Sequence, residues 1–330
     1  AANFEKLKWG FLTCSSHRRA DPQRNMFNRL KEERVDALIF AGDLVYANSA
    51  LDTGLGRPAK PEQTFAVYIK TIFELDFYQQ EKLIPVFSTW DDHDMGMNNA
   101  SADHPYLPLV TKIFRGFFPA DERVRSVRRG PGVSFSMSFK NYQLIFTDCR
   151  TFYNPDGEQV YGPLQLFWLI NSINKSRSGF ALVSSIQFFD YGRLAENVKS
   201  LSGWEWNYLE RAVKKNPHKA LFLSGDVHYS QVQKLDEKRY GYDGFEITSS
   251  AIFSLSARFY GKRSNKQGQL DYYGYPNFLV FEAIQIRGAE TQLTVRCVSE
   301  NKKNEFTRTL KIGNQSSESS SSESSSSSSS

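Results

Sequence analysis

Five short apolar runs in the chain are each followed at once by side chains that can bind a metal ion or move a proton. The runs are Leu7–Thr13, Ala37–Ala41, Leu83–Thr89, Gln143–Thr147 and Ala220–Ser224. The polar side chains that come after them are Cys14, Asp43, Tyr46, Asp91, Asp92, His93, Asp94, Asp148, Arg150, Asp226 and His228. Ligands of open α/β sheets bind outside the carboxyl ends of the strands, so we expect these side chains to converge on one polar site.

Each of these residues also has a purely structural explanation when it is considered alone. A Gly-Asp pair after a strand is often a turn, and a single cysteine is often a small buried apolar residue. His228 could fill a core position, and Asp148 could form an ion pair with Arg150. The combination favours a metal site, because segment 91–94 holds three carboxylates that would repel one another without a cation.

The types of donor indicate which ions would bind. Carboxylates, a phenol, a thiolate and an imidazole are a mixture of hard and soft ligands. Two aspartate-rich loops beside a Cys, Tyr and His set favour two metal ions that share a carboxylate. Metal pairs about 3.5–4 Å apart clamp phosphorus for in-line attack, so the residues predict a phosphoester hydrolase.

Over most of residues 8–285 the chain resembles the alkaline phosphatase D (PhoD) branch of the calcineurin-like metallophosphoesterases. The motifs that carry the resemblance follow the family's order: Thr13-Cys14-Ser15, Gly42-Asp43-x-x-Tyr46, Trp90-Asp91-Asp92-His93-Asp94 with Asn98-Asn99, Asp148-x-Arg150, Gly162-x-x-Gln165-x-x-Trp168-Leu169, Leu223-Ser224-Gly225-Asp226-x-His228, Glu246-x-Thr248-Ser249-Ser250 and Asn277-Phe278. One departure is Asp94, where a glutamate is common in the family; we expect it to stay off the metals.

The resemblance implies a four-layer αββα fold that holds Fe(III) and Ca²⁺, with other divalent metals as alternatives. The residues implied for the iron are Cys14, Asp43, Tyr46 and His228. Asp43 would bridge to the second metal, where Asp92 and Asp226 complete the site. The chemistry is consistent, because thiolate and phenolate suit Fe(III) and carboxylates suit Ca²⁺.

The resemblance also implies roles in the reaction. A hydroxide between the metals would attack phosphorus in line, while His93 protonates the leaving oxygen as general acid. Arg150 would hold phosphate oxygens, because its planar fork pairs with them bidentately. We expect further substrate contacts from Arg18, which follows Cys14 closely, and from Asn98 and Asn99.

Several functions stay open at this point. Phosphomonoesters and phosphodiesters are both candidate substrates, so a phosphodiesterase or phospholipase-like enzyme is an alternative to a phosphatase. A non-catalytic metal-bound binding protein is another, although it would need neither His93 nor Arg150. A nuclease has support only from the basic cluster of Arg123, Arg125, Arg128 and Arg129, which we interpret as a solvated loop.

The elements that must position these residues alternate in the first half of the chain. Between the apolar runs lie helical patterns, predicted at Gln23–Glu33, Glu62–Leu75, Pro163–Asn174 and Trp204–Lys215, the last with Trp204 and Trp206 in the core. After Asp226 the pattern predicts strands without intervening helices, at Gly244–Ser250, Phe278–Gln285 and Gln292–Val298. The long loops are predicted at Asn48 to Glu62, Met95 to Pro108 and Gly261 to Asp271. This order favours an α/β sandwich of two mixed sheets flanked by helices.

Length and composition fit one catalytic domain over residues 1–315. The chain has 330 residues, 40% of them hydrophobic, a net charge of +5 and three cysteines, too few for a disulfide framework. Residues 316–330 are serine and glutamate only and predict a disordered or artificial tail. No apolar run is long enough to span a membrane. An Ala-Ala start is what signal-peptide cleavage would leave, and equally what a shortened chain would show; we expect a secreted or periplasmic protein. Separately, we expect a monomer that acts on small phosphorylated substrates rather than nucleic acid.

Overall fold

The computed structural model describes most of the chain before the serine-rich tail. The described residues are 7–15, 20–48, 57–74, 84–120, 125–139, 142–177, 179–191, 196–249, 252, 268–285, 291–300 and 305–313. Arg18, Arg123 and the 316–330 tail, for which predictions were made above, lie outside these ranges.

A six-stranded sheet forms one half of the fold. Its strands, in spatial order, are β14 (Thr307–Ile312), β13 (Thr291–Ser299), β12 (Asn277–Gln285), β1 (Leu7–Leu12), β2 (Ala37–Ala41) and β3 (Val86–Thr89). The β1, β2 and β3 strands run parallel, and the other strands add to β1 in antiparallel pairs. All five residues of β2 are buried, as in a parallel strand that is covered on both faces.

An eight-stranded sheet forms the other half. Its strands, in spatial order, are β11 (Gln269–Tyr273), β9 (Ser230–Leu235), β10 (Gly244–Thr248), β8 (Ala220–Ser224), β7 (Gly179–Val183), β6 (Tyr142–Phe146), β5 (Phe135–Phe139) and β4 (Val127–Arg129). The four central strands, from β10 to β6, are parallel. The eight-stranded sheet therefore has a parallel centre and antiparallel edges, whereas the parallel strands of the six-stranded sheet extend to its edge at β3.

Eight helices are found among the described residues. They are α1 (Ala20–Glu32), α2 (Pro61–Glu74), α3 (Asp92–Met95), α4 (Leu107–Phe117), α5 (Gly162–Lys175), α6 (Val198–Leu201), α7 (Gly203–Lys215) and α8 (Glu237–Tyr240). The four helices predicted from the sequence are confirmed as α1, α2, α5 and α7. Their periodic apolar residues identified them, whereas α3, α6 and α8 are single turns that leave no periodic signal.

The two sheets pack face to face, with helices against their outer faces. Alternate residues of each central strand point to opposite faces. In β2, Ile39 packs in the core between the sheets, while Phe40 packs under α1, α2 and α4. In β8, Leu223 packs in the same central core, while Phe222 packs under α5 and α7. This arrangement confirms the predicted four-layer αββα sandwich.

Three local expectations are wrong. Trp206 is buried at 2% exposure, but Trp204 is 38% exposed because it lies at the start of α7, on its outer side. Arg128 and Arg129 are exposed as predicted, yet they belong to the edge strand β4 rather than to a loop. The loop predicted at Met95 to Pro108 includes the last residue of α3, Met95, and the first two residues of α4, Leu107 and Pro108. None of the helices among the described residues is long and apolar enough to cross a membrane.

Candidate metal and catalytic site

The carboxyl ends of the parallel strands of both sheets meet at one edge of the sandwich. Two hydroxyl groups join them: Thr89 Oγ1 donates to the carbonyl oxygen of Thr147 at 2.6 Å, and Thr13 Oγ1 donates to that of Ser249 at 2.7 Å. The indole of Trp90 donates to Asp148 at 2.8 Å. These bonds hold the loops after β1 and β3 against those after β6 and β10, so side chains from both sheets share one site.

The first cluster of donors contains the four residues predicted for the iron. Ligand atoms of Cys14, Asp43 and His228 all lie within 4.8 Å of one another. The hydroxyl of Tyr46 lies 3.1 Å from Asp43 Oδ2 and 3.1 Å from His228 Nε2. The structure therefore brings together a thiol, a carboxylate, a phenol and an imidazole from three different strand ends.

The second cluster shares Asp43 with the first. Ligand atoms of Asp43, Asp92 and His93 lie within 4.8 Å of one another. Asp43 is 2% exposed, and its Oδ1 is buried without a hydrogen-bond partner. The carboxylate of Asp92 accepts backbone N–H groups from His93 at 2.9 Å and Asn99 at 2.6 Å. Asp226 is outside both clusters, but its charge interacts with Asp91 and Asp92.

The backbone is left-handed at four of the six residues predicted to bind metal. The φ angles are 55° at Cys14, 53° at Asp43, 67° at Asp226 and 59° at His228. Residues other than glycine rarely adopt positive φ, and such strain is concentrated at functional sites. The turns after β1, β2 and β8 thus hold these side chains in a conformation that the chain would not choose locally.

Negative charge accumulates in this site without enough positive charge to balance it. Burial, and then the neighbouring Asp92 and Asp91 carboxylates, raise the pKa of Asp43 well above its ordinary value. Burial and the same two carboxylates raise the pKa of Asp226 in the same way. These acids can ionise together only beside additional cations.

The imidazole of His228 suits metal binding in its uncharged state. Burial lowers the pKa of His228 to about 4, so the ring is neutral at physiological pH and keeps a lone pair for a metal. Together with the unpaired Oδ1 of Asp43, this donor set fits a metal pair that shares the Asp43 carboxylate.

Asp94 stays away from the two clusters and joins loops instead. Its side chain accepts the backbone N–H of Val45 at 3.0 Å and that of Asp91 at 2.9 Å. Burial is the main reason that the pKa of Asp94 rises to about 7. Asp94 belongs to neither donor cluster, and its staying off the metals remains a prediction.

Arg150 is buried and paired with two carboxylates. Its side chain is 2% exposed; Nε contacts Asp91, and Nη2 lies 2.6 Å from Glu196. The ion pair considered between Asp148 and Arg150 is wrong, because Arg150 donates to Asp148 through its backbone N–H, at 3.0 Å, while its guanidinium pairs with Asp91 and Glu196. Burial alone would raise the pKa of Asp92, but the Arg150 guanidinium is the first of several groups that lower it on balance.

The His93 ring lies between a tyrosine and an asparagine. Its centroid is 4.2 Å from that of Tyr46, at an interplanar angle of 31°, and its Nδ1 lies 2.7 Å from Asn48 Oδ1. Burial lowers the pKa of His93. Asn98 and Asn99, which follow His93 in the sequence, have exposed side chains. Contact of Asn98, Asn99 and Arg18 with the substrate stays a prediction.

Sequence reasoning missed two residues of this neighbourhood as functional candidates. Glu196 and Asn48 lie in loops without any motif, whereas Asp91 was among the expected site residues but had no partner assigned to it. Their partners, Arg150 and His93, are distant in sequence, so no local pattern could have identified the contacts.

The fold has a known relative among solved structures. No family model and no curated protein matches the chain. A structure described as that of PhoD aligns over 93% of this chain and 69% of its own, at 16% identity and a TM-score of 0.67. That likeness confirms the predicted fold.

Two more distant structures also align. A predicted phosphoesterase of Streptococcus pneumoniae covers 93% of this chain and 99% of its own at 9% identity and a TM-score of 0.33. A phosphatase of Mycoplasma pneumoniae covers 94% of this chain and 95% of its own at 10% identity and a TM-score of 0.36. Scores this low support no argument about fold or function.

Proposed function

We propose that the protein is a metal-dependent phosphoester hydrolase related to the PhoD-like metallophosphoesterases. The observation that carries this proposal is the position of Asp43, whose buried carboxylate belongs to two adjacent donor clusters and has one oxygen without a hydrogen bond. The PhoD fold and the order of the motifs support the same conclusion.

Two metals would be held by the residues predicted above. Cys14, Tyr46 and His228 suit Fe(III), while Asp92 and Asp226 suit Ca²⁺ or another divalent ion, with Asp43 shared. Such a pair supplies a Lewis acid for phosphoryl oxygens and lowers the pKa of bound water to near neutrality. The strained turns of the protein hold these donors in place, so that the loops need little rearrangement when the metals bind.

The remaining residues act on the substrate. His93 would give a proton to the leaving oxygen, and its burial between Tyr46 and Asn48 keeps the ring in one orientation. The single positive charge of Arg150 is already paired with two carboxylates, Asp91 and Glu196, so it offers a phosphate only part of its charge. A purely structural metal site would need neither His93 nor Arg150, which favours catalysis over the non-catalytic alternative.

The nuclease alternative gains no support from the basic cluster. Arg128 donates to the carbonyl of Arg125 at 2.9 Å, and Arg129 donates to that of Pro119 at 2.7 Å. Both guanidinium groups are thus engaged by backbone near the edge strand. We keep small phosphomonoesters and phosphodiesters as the proposed substrates, and a secreted or periplasmic monomer as the proposed state.

The test is turnover of p-nitrophenyl phosphate and of bis(p-nitrophenyl) phosphate, measured with and without chelator and with elemental analysis. Asp43→Asn should lose activity on both by on the order of 10²-fold or more, because an amide is a weak ligand for either ion. Its control is Asp243→Asn, whose carboxylate is 51% exposed and distant in the chain from the clusters.

Each outcome decides the proposal. We expect wild type and Asp243→Asn to hydrolyse at least one ester in a chelator-sensitive way and to bind the same metals. Near wild-type turnover by metal-replete Asp43→Asn would contradict the shared carboxylate. Failure of the metal-loaded wild-type protein to turn over either ester would contradict the proposed hydrolase.

A further inference from the structure

We propose that Asn48 is a positioning residue that holds His93 with its proton on Nδ1, which leaves Nε2 as the nitrogen that meets the substrate. The proposal rests on the proposed phosphoester hydrolysis and adds to it a residue outside every motif in the sequence. It stands on the 2.7 Å contact between Asn48 Oδ1 and His93 Nδ1.

The contact determines the tautomer of the ring. An amide oxygen has no proton to donate, so His93 Nδ1 must be the donor in this bond. A neutral imidazole carries one proton, and with that proton on Nδ1 its Nε2 is a proton acceptor. The protonated ring carries the second proton on Nε2, so Nε2 is the only nitrogen that can donate to a leaving group while the bond to Asn48 persists.

The surrounding contacts hold both partners in place. The Tyr46 ring stacks on His93 at a centroid distance of 4.2 Å. The backbone N–H of Ala47 donates to the carbonyl of His93 at 3.4 Å, and that of Val45 donates to Asp94 at 3.0 Å. The loop after β2 is therefore bound to α3 by two backbone N–H groups just before Asn48, which keeps the asparagine next to the ring.

A neutral partner suits this location. A ligand atom of His93 lies within 4.8 Å of those of Asp43 and Asp92, and burial and neighbouring carboxylates already raise the pKa of Asp43. A third carboxylate beside the ring would add to that negative charge. An amide orients the ring by a hydrogen bond without adding charge.

Asn48 supports the transfer of a proton from His93 to the leaving oxygen. The bond between phosphorus and the leaving oxygen breaks, and its electron pair goes to that oxygen. The oxygen takes the proton from His93 Nε2, and the ring is left neutral with its Nδ1 proton still on Asn48. Water supplies the new oxygen on phosphorus; one of its protons stays with the phosphate and the other restores the protonated His93 ring, so the products are an alcohol and a phosphate.

The experiment compares two leaving groups. An alkoxide needs a proton in the transition state, whereas p-nitrophenolate leaves with little help. Asn48→Ala should lower kcat/KM for an alkyl phosphate by on the order of 10²-fold and for p-nitrophenyl phosphate far less, with unchanged metal content. His93→Ala should show the same pattern, with a larger difference.

Two matched variants complete the design. Asn48→Asp keeps an acceptor for Nδ1 and should restore the leaving-group ratio to within a few fold of wild type. Asn207→Ala, at an exposed position on α7, should change neither substrate. Equal losses on both substrates in Asn48→Ala, or no loss on either, would overturn the positioning role.

A measurement that does not use turnover separates this proposal from the proposed function. Long-range ¹H–¹⁵N spectra of the metal-free protein, which has five histidines, can be assigned by comparison with His93→Gln. We expect His93 to carry its proton on Nδ1 in wild type and Asn48→Asp, and to lose that preference in Asn48→Ala. If the neutral His93 ring of the wild-type protein carries its proton on Nε2, the proposal is overturned, even when hydrolysis is confirmed. If the proton is on Nδ1 but the protein does not hydrolyse esters, only the catalytic use of the contact is overturned.

Discussion

At the scale of single residues, several side chains of the site adopt conformations or environments that are unfavourable in free energy. Cys14, Asp43, Asp226 and His228 combine left-handed backbone with positions at the ends of strands. Asp43 also leaves a buried oxygen without a partner. Burying an unpaired polar atom costs free energy that a folded protein usually avoids. A metal pair would offset these costs, because it bonds the orphaned oxygen and balances the carboxylates.

Tyr46 permits a spectroscopic test at the same scale. Its hydroxyl lies 3.1 Å from both Asp43 and His228, so a phenolate would bind any ion held there. We expect the Fe(III)-loaded protein to absorb in the visible through phenolate or thiolate charge transfer, and Tyr46→Phe to lose or shift this band. The exposed Tyr208→Phe should leave the spectrum unchanged. A wild-type protein that contains iron but has no visible band would contradict the assignment of Tyr46.

At the scale of elements, the site depends on two sheets that end at the same place. Gly225, after β8, lies where the loops of both sheets meet. A Cβ there would stand 2.7 Å from the carbonyl oxygen of Ala41 and 2.9 Å from that of Ser185. One oxygen belongs to the end of β2 and the other follows β7, so only a residue without a side chain allows this close approach.

Gly225→Ala should therefore damage both stability and the site. We expect the free energy of unfolding to fall by roughly 1–3 kcal/mol through overpacking against backbone that cannot yield easily. The next residue is Asp226, so metal affinity should fall as well. Gly116→Ala is the control: its Cβ would meet nothing within 4 Å, and in α4 it should stabilise by up to about 1 kcal/mol. Denaturant unfolding and metal titration of both variants provide the measurement; an unchanged Gly225→Ala protein would refute the close-approach argument.

At the scale of the whole molecule, the sandwich is held by a continuous apolar core between its sheets. Phe281 of β12 packs against Trp9 and Phe11 of β1, at centroid distances of 6.0 and 5.5 Å. Phe135 and Phe146 stack at 4.2 Å in the other sheet. Beneath the site, the outer layer also buries a carboxyl group: Glu246 of β10 accepts the backbone N–H of Phe188 at 2.9 Å and the hydroxyl of Tyr191.

Glu246 makes the stability of the molecule depend on pH. Burial raises the pKa of Glu246 to about 7 in the folded protein, whereas the unfolded chain ionises near 4.5. Between these values the folded state binds more protons, so this contribution to stability is present at low pH and is lost as the pH rises through about 7.

Glu246→Gln should remove that dependence. The difference in free energy of unfolding, variant minus wild type, should increase by up to about 3 kcal/mol as the pH rises from about 5 to about 8. Glu237→Gln, at an exposed position on α8, should show no such gain. Urea unfolding of the three proteins at both pH values is the measurement, and parallel pH profiles for wild type and Glu246→Gln would refute the prediction.

Much of the fold was predictable because its signals are local. The runs at Ala37–Ala41 and Ala220–Ser224 match β2 and β8 to the residue, and α7 begins one residue before the predicted Trp204. The edge strand β4 and the inner strand β9 were missed: two of the three residues of β4 are exposed, and β9 is buried but mostly polar, so neither carries a clear apolar alternation. Side chains that follow buried strands of a parallel sheet must gather at one edge, which is why Cys14, Asp43 and His228 could be placed together beforehand.

The sequence by itself determined which residues would meet, and the tertiary structure decided how they pair. The family resemblance carried by the motifs implied Asp43 beside both metal groups, and each motif is a local feature of the sequence. The pairing of Arg150 with Asp91 and Glu196, and of His93 with Asn48, joins segments between 45 and 59 residues apart. Those partners depend on how two sheets close on each other, and a hydrogen bond between distant loops leaves no periodic pattern in the chain.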